Sequence, residues 1–172
     1  MTPGEFDKLY PLMAGWLKET RAAHSRAAHP VASLAFPRLP HYFAAATLAK
    51  ANVVLIDRVP MQPLYDWGMK QFADFAFGDF NGVTYQDTIF LKRAEFGNEA
   101  LHFHELVHVI QWRFLGPKLF LYLYANGLER YGYKDNPLEV MAYVAEAAFS
   151  SSSRIFDAEA FVAERLEAAS LE

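Results

Sequence analysis

Residues 100–116 read ALHFHELVHVIQWRFLG. His104 and His108 stand four positions apart within a helical pattern. At about 100° per residue they differ by about 40° in direction and lie one turn apart on one face. Two imidazoles so placed can reach one metal ion, and Glu105 beside them can take a proton from a metal-activated water without being a ligand itself. Zinc lowers the pKa of its bound water to about 7, and the carboxylate completes the deprotonation. Accident is the competing explanation: three fixed positions, two of them the uncommon His, coincide in a chain this size on the order of one time in a hundred. Leu101, Phe103, Leu106, Val107, Val109 and Ile110 make the segment apolar almost all round, which predicts a buried helix. Two His and a Glu inside a buried helix need partners, and a metal satisfies all three together.

Working outward, Asn98 is placed to cap this helix and Gly116 to end it after Leu115, with Pro117 in the first turn of a helix over roughly 117–130. The loop YGYKDN leads to a helix that starts at Asn136-Pro137 and runs to Phe149. A break at 150–153 precedes a last amphipathic helix with Phe156, Val162 and Leu166. Upstream, Phe6, Leu9, Tyr10, Met13, Trp16 and Leu17 recur at helical spacing, so 4–27 reads as an amphipathic helix. Pro30, Pro37 and Pro40 punctuate an irregular connection, and a helix is expected over 41–50. The β-branched run at 52–57 reads as a strand stopped by Pro60 and Pro63, and 64–75 as a further helix. After Gly78 and Asn81-Gly82, the alternating segment 83–92 (VTYQDTIFLK) reads as one strand. The expected fold is α+β, mostly helical, with a small sheet beside the motif helix.

With 172 residues, a single domain over 1–172 is the expectation, 1–37 forming an N-terminal helical extension and 154–172 a C-terminal helix. Apolar residues make up 53% of the chain and charged residues 21%, a globular composition. The net charge of −4, without a long like-charge run, argues against nucleic acid as a partner, because phosphate binding needs clustered Lys and Arg. The absence of cysteine removes disulfides, thiolate zinc ligands and cysteine nucleophiles together. Neither a signal-peptide pattern nor an apolar run long enough to span a bilayer is present, so cytoplasmic residence without membrane insertion is the default expectation.

A catalytic zinc takes three protein ligands and leaves one position for water. No third His follows His108 at close spacing, since Gln111, Arg113, Phe114 and Leu115 fill that stretch. A distant carboxylate is therefore required, from among Glu129, Asp135, Glu139 and Glu146. Glu139 is favoured because it lies in the first turn of a helix among apolar neighbours, yet Asn136-Pro-Leu-Glu139 is equally a capping-box pattern that would fold the carboxylate back on the cap residue. Of the other histidines, His102 points away from the motif face and reads as structural, His24 and His29 as solvated, and His41 has no visible partner. The Tyr122/Tyr124 and Phe72/Phe75/Phe77 groups read as core, while Trp112 and Arg113 end the motif helix where they can line a cleft, with packing the favoured role.

ALHFHELVHVIQWRFLG followed by GYKDNPLEVMAYVAE resembles the core of the gluzincin-type zinc metallopeptidases. More narrowly, it is similar to a group of small bacterial metallopeptidase-like domains with the pattern FHELVHVxQ…LG…GY…PLExxAY, over roughly 38–149 and most strongly over 99–146. The resemblance implies a zincin-like fold, one Zn2+ per chain held by His104, His108 and Glu139, and Glu105 as general base and acid. It also implies that the segment 83–92 lies along the cleft and takes a peptide or protein substrate as an added strand. Gluzincins carry an acid four residues beyond the third ligand to orient the first His. Tyr143 stands there, and Glu146, on the same helical face as Glu139, can substitute. Tyr143 and Tyr133 are the candidates for stabilising an oxyanion.

Three functions are thus in contention. The leading one is a zinc-dependent hydrolase, a peptidase in which Glu105 activates the zinc-bound water. The alternative is a metal-binding but non-catalytic scaffold or partner-binding protein of the same fold, and the third a helical protein that binds no metal.

Overall fold

Helices form at α1 (Pro3–His24), α2 (Ala45–Lys50), α3 (Ala73–Ala76), α4 (Glu99–Tyr131), α5 (Pro137–Ser150) and α6 (Ala158–Ala169). Strands form at β1 (His29–Pro30), β2 (Asn52–Ile56), β3 (Gly82–Tyr85) and β4 (Thr88–Lys92). The structure, a computed structural model, describes residues 1–151 and 154–169. Part of the expected break at 150–153 and the end of the expected helix over 154–172 lie outside the described residues.

Local capping chemistry sets the helix ends that matter for the site. Thr2 and Glu5 make a reciprocal capping box at the start of α1. The Asn98 side chain accepts from the Leu101 N–H at 3.1 Å to begin α4. Gly116 interrupts α4 at φ 72°, a left-handed conformation that glycine adopts without steric cost, and Pro117 restarts the helix. The expected helix–Gly–Pro–helix arrangement is therefore present as a kink within one long element.

Two expectations fail. The single strand over 83–92 is a hairpin: β3 and β4 pair antiparallel, with Thr84 opposite Ile89, and the chain turns at Gln86 with φ 62°. No Gly or Asn marks this turn. It is held from α1, where Arg21 donates to Gln86 Oε1, to Asp87 Oδ1 and to Thr88 Oγ1. The helix expected over 64–75 gives way to turns, with the Met69 N–H closing on the Leu64 carbonyl at 2.9 Å, before a short 3-10 turn at Lys70–Phe72 leads into α3. The expected helix over 41–50 starts later, at Ala45, because Tyr42 and Phe43 are drawn into the core.

The sheet runs in the order β1-β2-β4-β3, with β2 and β4 parallel and both outer pairings antiparallel. α4 packs on β3 and β4 on one side and on α5, α6 and α1 elsewhere. Phe103, Leu106, Val107 and Val109 of α4 are fully buried, as are Ile89, Phe90 and Leu91 of β4, and the Phe103 ring stacks on Phe149 of α5 at 4.5 Å. Each such side chain contributes about 1.5–3 kcal/mol of burial. Phe6, Met13 and Leu17 of α1 and Val162 and Leu166 of α6 belong to the same core. Among the described residues no helix is long and apolar enough to cross a membrane.

Candidate metal centre

The motif segment of α4 is buried from His102 to Trp112, as its all-round apolarity predicts. His104 and His108 project toward α5 with their Nε2 atoms 3.2 Å apart. Glu139, in the first turn of α5, meets them there: Oε2 lies 3.3 Å from His104 Nε2 and Oε1 lies 3.4 Å from His108 Nε2. All three residues are buried, and one potential ligand atom from each lies within 4.8 Å of the others. They could hold one metal ion.

The rings are oriented from behind. Gln111 donates through Nε2 to the Leu138 carbonyl at 2.9 Å, so its Oε1 faces His108 Nδ1 at 2.8 Å and accepts a proton from it. Glu146 accepts from His104 Nδ1 at 3.0 Å. With both Nδ1 atoms protonated, two bare Nε2 lone pairs face each other and a carboxylate. Glu139 Oε2 is buried without a hydrogen-bond partner, although His104 Nε2 is close. With both rings neutral, three acceptors converge with no donor between them, an arrangement that fits a cation.

The capping alternative for Glu139 does not describe this geometry. The Asn136 N–H donates to the Tyr133 carbonyl, and the Asn136 side chain caps Leu138, so the Glu139 carboxylate is not used at the helix start. Instead Glu139 Oε1 accepts from the Tyr124 hydroxyl at 2.5 Å. Asn136 also donates to the Tyr124 carbonyl at 3.0 Å, which ties the second half of α4 to the start of α5.

Glu105 faces the sheet. Its Oε2 accepts from the Thr84 hydroxyl at 2.6 Å, and its Oε1 lies so near Gly82 that a Cβ there would come within 2.5 Å. The Trp112 indole in turn donates to the Thr84 carbonyl at 3.0 Å and stacks on Phe120. β3 thus sets the position of Glu105, while one carbonyl of this strand is already engaged by α4.

Protonation within the group is coupled. Without a metal, burial disfavours the charged imidazole of His104, but the neighbouring carboxylates of Glu139 and Glu146 outweigh this and raise its pKa to about 10. His108 is likewise raised against its burial by Glu139. Burial would raise Glu139, yet the adjacent imidazoles hold it well below the usual carboxylate range. Burial pushes Glu105 upward, against the pull of His104 and His108. Burial and then the Glu139 charge raise the Tyr124 phenol, which keeps it a donor.

The structure brings His104, Glu105, His108 and Glu139 together, with Glu146 where the replacement acid was expected. Tyr143 is 40% exposed, its ring 4.8 Å from that of His104 and its hydroxyl paired with Tyr133. Tyr133, rather than Tyr143, lines the cavity of about 60 Å³ beside Glu105, His108 and Glu139. The cavity's other walls include Met61, Phe75, Phe80, Phe120 and Tyr124. Phe77 is exposed rather than core. His102 bonds its own helix at the Asn98 carbonyl, and His24 is half-buried against Phe90 rather than solvated. Gln111, Tyr124, Thr84 and Gln62 were not legible as site residues. Only Gln111 carried a local signal, since three positions after His108 it shares that residue's helical face. Comparison with protein-family models, with curated proteins and with solved structures returned no match.

Proposed function

We propose that this chain is a zinc-dependent hydrolase, a gluzincin-like metallopeptidase acting on a peptide or protein. The observation that carries this reading is the spacing of the donor atoms. Around a tetrahedral zinc with ligands at about 2.0–2.2 Å, donors stand about 3.3–3.6 Å apart. The Nε2 atoms of His104 and His108 stand 3.2 Å apart, each has one Glu139 oxygen near it (Oε2 at 3.3 Å for His104, Oε1 at 3.4 Å for His108), and one ligand atom from each residue lies within 4.8 Å of the others; two imidazoles with one carboxylate are a zinc-type set that leaves a fourth position open.

When bound there, zinc supplies Lewis acidity, lowering the pKa of a water to about 7 and polarising a carbonyl. Glu146 and Gln111 hold the imidazoles in the tautomer that presents Nε2, and Tyr124 fixes the Glu139 carboxylate. Glu105, held at Oε2 by Thr84, takes the proton of the attacking water on its other oxygen and passes it to the leaving amine. The upward shift of its pKa by burial is the direction a base working near neutral pH needs.

A second reading, a metal-binding protein of the same fold without turnover, is favoured by one observation. The cavity beside Glu105 measures about 60 Å³, well under the roughly 300 Å³ of the smallest usual ligand pockets. Metal content and peptide cleavage in the wild type and three variants separate the readings. About one zinc per chain is expected in the wild type, lost in His108→Ala and Glu139→Ala and retained in Glu105→Gln, which no longer cleaves a peptide library. Zinc retained in Glu139→Ala removes that ligand. A wild type that takes up no zinc ends the hydrolase reading, and cleavage undiminished in Glu105→Gln ends the role of the base.

A further inference from the structure

Gln62 lies in the segment between β2 and α3 and lines the same cavity as Glu105, His108 and Glu139. It is only 5% exposed, and its Nε2 is buried with no hydrogen-bond partner. A buried amide left unpaired costs stability, so its retention calls for an explanation in what it meets during function.

Its placement is not loose. The Tyr85 hydroxyl, at the end of β3, donates to the Pro60 carbonyl at 2.7 Å, and the Gln62 carbonyl accepts from the Leu64 N–H at 2.8 Å. Pro60 and Pro63 flank the residue and restrict the backbone on either side. The main chain is thus clipped to the strand that also sets Glu105, while the terminal amide can turn about its last torsion, which has a broad potential. Met61, Phe75, Phe80, Phe120 and Leu121 give the cavity apolar walls, and the hydroxyls of Thr84, Tyr85 and Tyr124, which also line it, are engaged by Glu105, Pro60 and Glu139.

We propose that the Gln62 amide is a substrate-binding group of this centre: Nε2 donates to the carbonyl oxygen of an acyl compound whose small, uncharged apolar group fills the cavity. This rests on the hydrolase reading above, and supplies a donor to the substrate oxygen that neither Tyr143 nor Tyr133 need provide. A side-chain amide is suited to this task because its N–H carries a partial positive charge into a water-poor site without a full charge to desolvate. The size of the cavity, about 60 Å³, limits the apolar group to a short one unless the walls move.

The test uses zinc-loaded protein and acetohydroxamate, a zinc-binding acyl probe, with affinity read by calorimetry and Tm by thermal melting. Gln62→Met and Gln62→Leu keep the size of the side chain and remove the donor. Both variants are expected to retain zinc and to bind acetohydroxamate about tenfold more weakly, the scale of one lost hydrogen bond in a dry site. Their Tm is expected to equal or exceed that of the wild type, because an unpaired buried amide has been removed. Glycine hydroxamate, which carries an ammonium in place of a methyl hydrogen, is expected to bind the wild type more weakly than acetohydroxamate. Unchanged affinity in the variants, or a Tm that falls along with affinity, overturns the assignment in favour of a structural Gln62. Equal binding of the two probes overturns the apolar group. A wild type that takes up no zinc defeats the metal reading and this assignment together, whereas zinc uptake with acetohydroxamate affinity unchanged in the Gln62 variants defeats this assignment alone.

Discussion

Replacing Gln111 with Leu tests whether the motif helix and α5 act as one metal-binding unit. Gln111 is fully buried and bonds across the site, accepting from His108 Nδ1 at 2.8 Å and donating to the Leu138 carbonyl at 2.9 Å and, more weakly, to Met141 Sδ at 3.4 Å. Leu is of similar volume, so the packing loss is small and the polar loss dominates. Removing the acceptor frees the His108 ring to rotate and to exchange tautomers, and partners of this kind are worth about 10–100-fold in metal affinity. At about 1.4 kcal/mol per tenfold, that is roughly 1.4–2.8 kcal/mol. Leu138 directly precedes Glu139, so losing the second bond also loosens the turn that presents the third donor. Zinc affinity, measured by competition with a chromophoric chelator at neutral pH, is therefore expected to fall by the upper part of that range. Gln111→Glu retains an acceptor for His108 but cannot donate to Leu138, and its affinity should lie between the two. An affinity of Gln111→Leu within about twofold of the wild type, in a folded protein, would refute the claim that Gln111 sets the His108 tautomer.

Two further outcomes follow from the same geometry. In protein stripped of metal, His104 has a folded-state pKa near 10, raised from an ordinary 6.5 by Glu139 and Glu146 against its burial. Its contribution to stability is thus full below pH 6.5 and is lost as pH rises through about 10. Thermal melts of the stripped protein should show Tm falling across that window, and a His104→Ala protein should give a flatter curve; a Tm that rises there contradicts the ion pairing. Gly82→Ala would place a Cβ 2.5 Å from Glu105 Oε1 and 2.6 Å from the fully buried Leu91. Overpacking of this kind costs about 1–3 kcal/mol, with roughly 2–4 °C of Tm per kcal/mol at this chain length. Zinc content should be unaffected, and an unchanged Tm would mean that β3 does not press on Glu105 as described.

What could be read from the chain alone is what local chemistry encodes. The spacing of His104 and His108 places two imidazoles on one helical face whatever surrounds them. Asn98, Gly116-Pro117 and Asn136-Pro137 mark helix ends because capping and φ preferences act within a few residues. The same locality left Glu139 with two readings, ligand or cap, since a first-turn glutamate suits both. Tertiary packing chose between them by setting α5 across α4, so that the carboxylate meets the histidines and Tyr124 while the cap duty falls to Asn136. The hairpin at Gln86 was illegible for a related reason: the groups that hold it belong to Arg21, on a helix far away along the chain. Thr84 and Gln62 became site residues only once the sheet and the segment before α3 closed over Glu105. Periodicity and capping report which face of an element is apolar and where it ends. Which polar groups meet across that face depends on how elements distant in sequence are packed, and only the folded chain decides it.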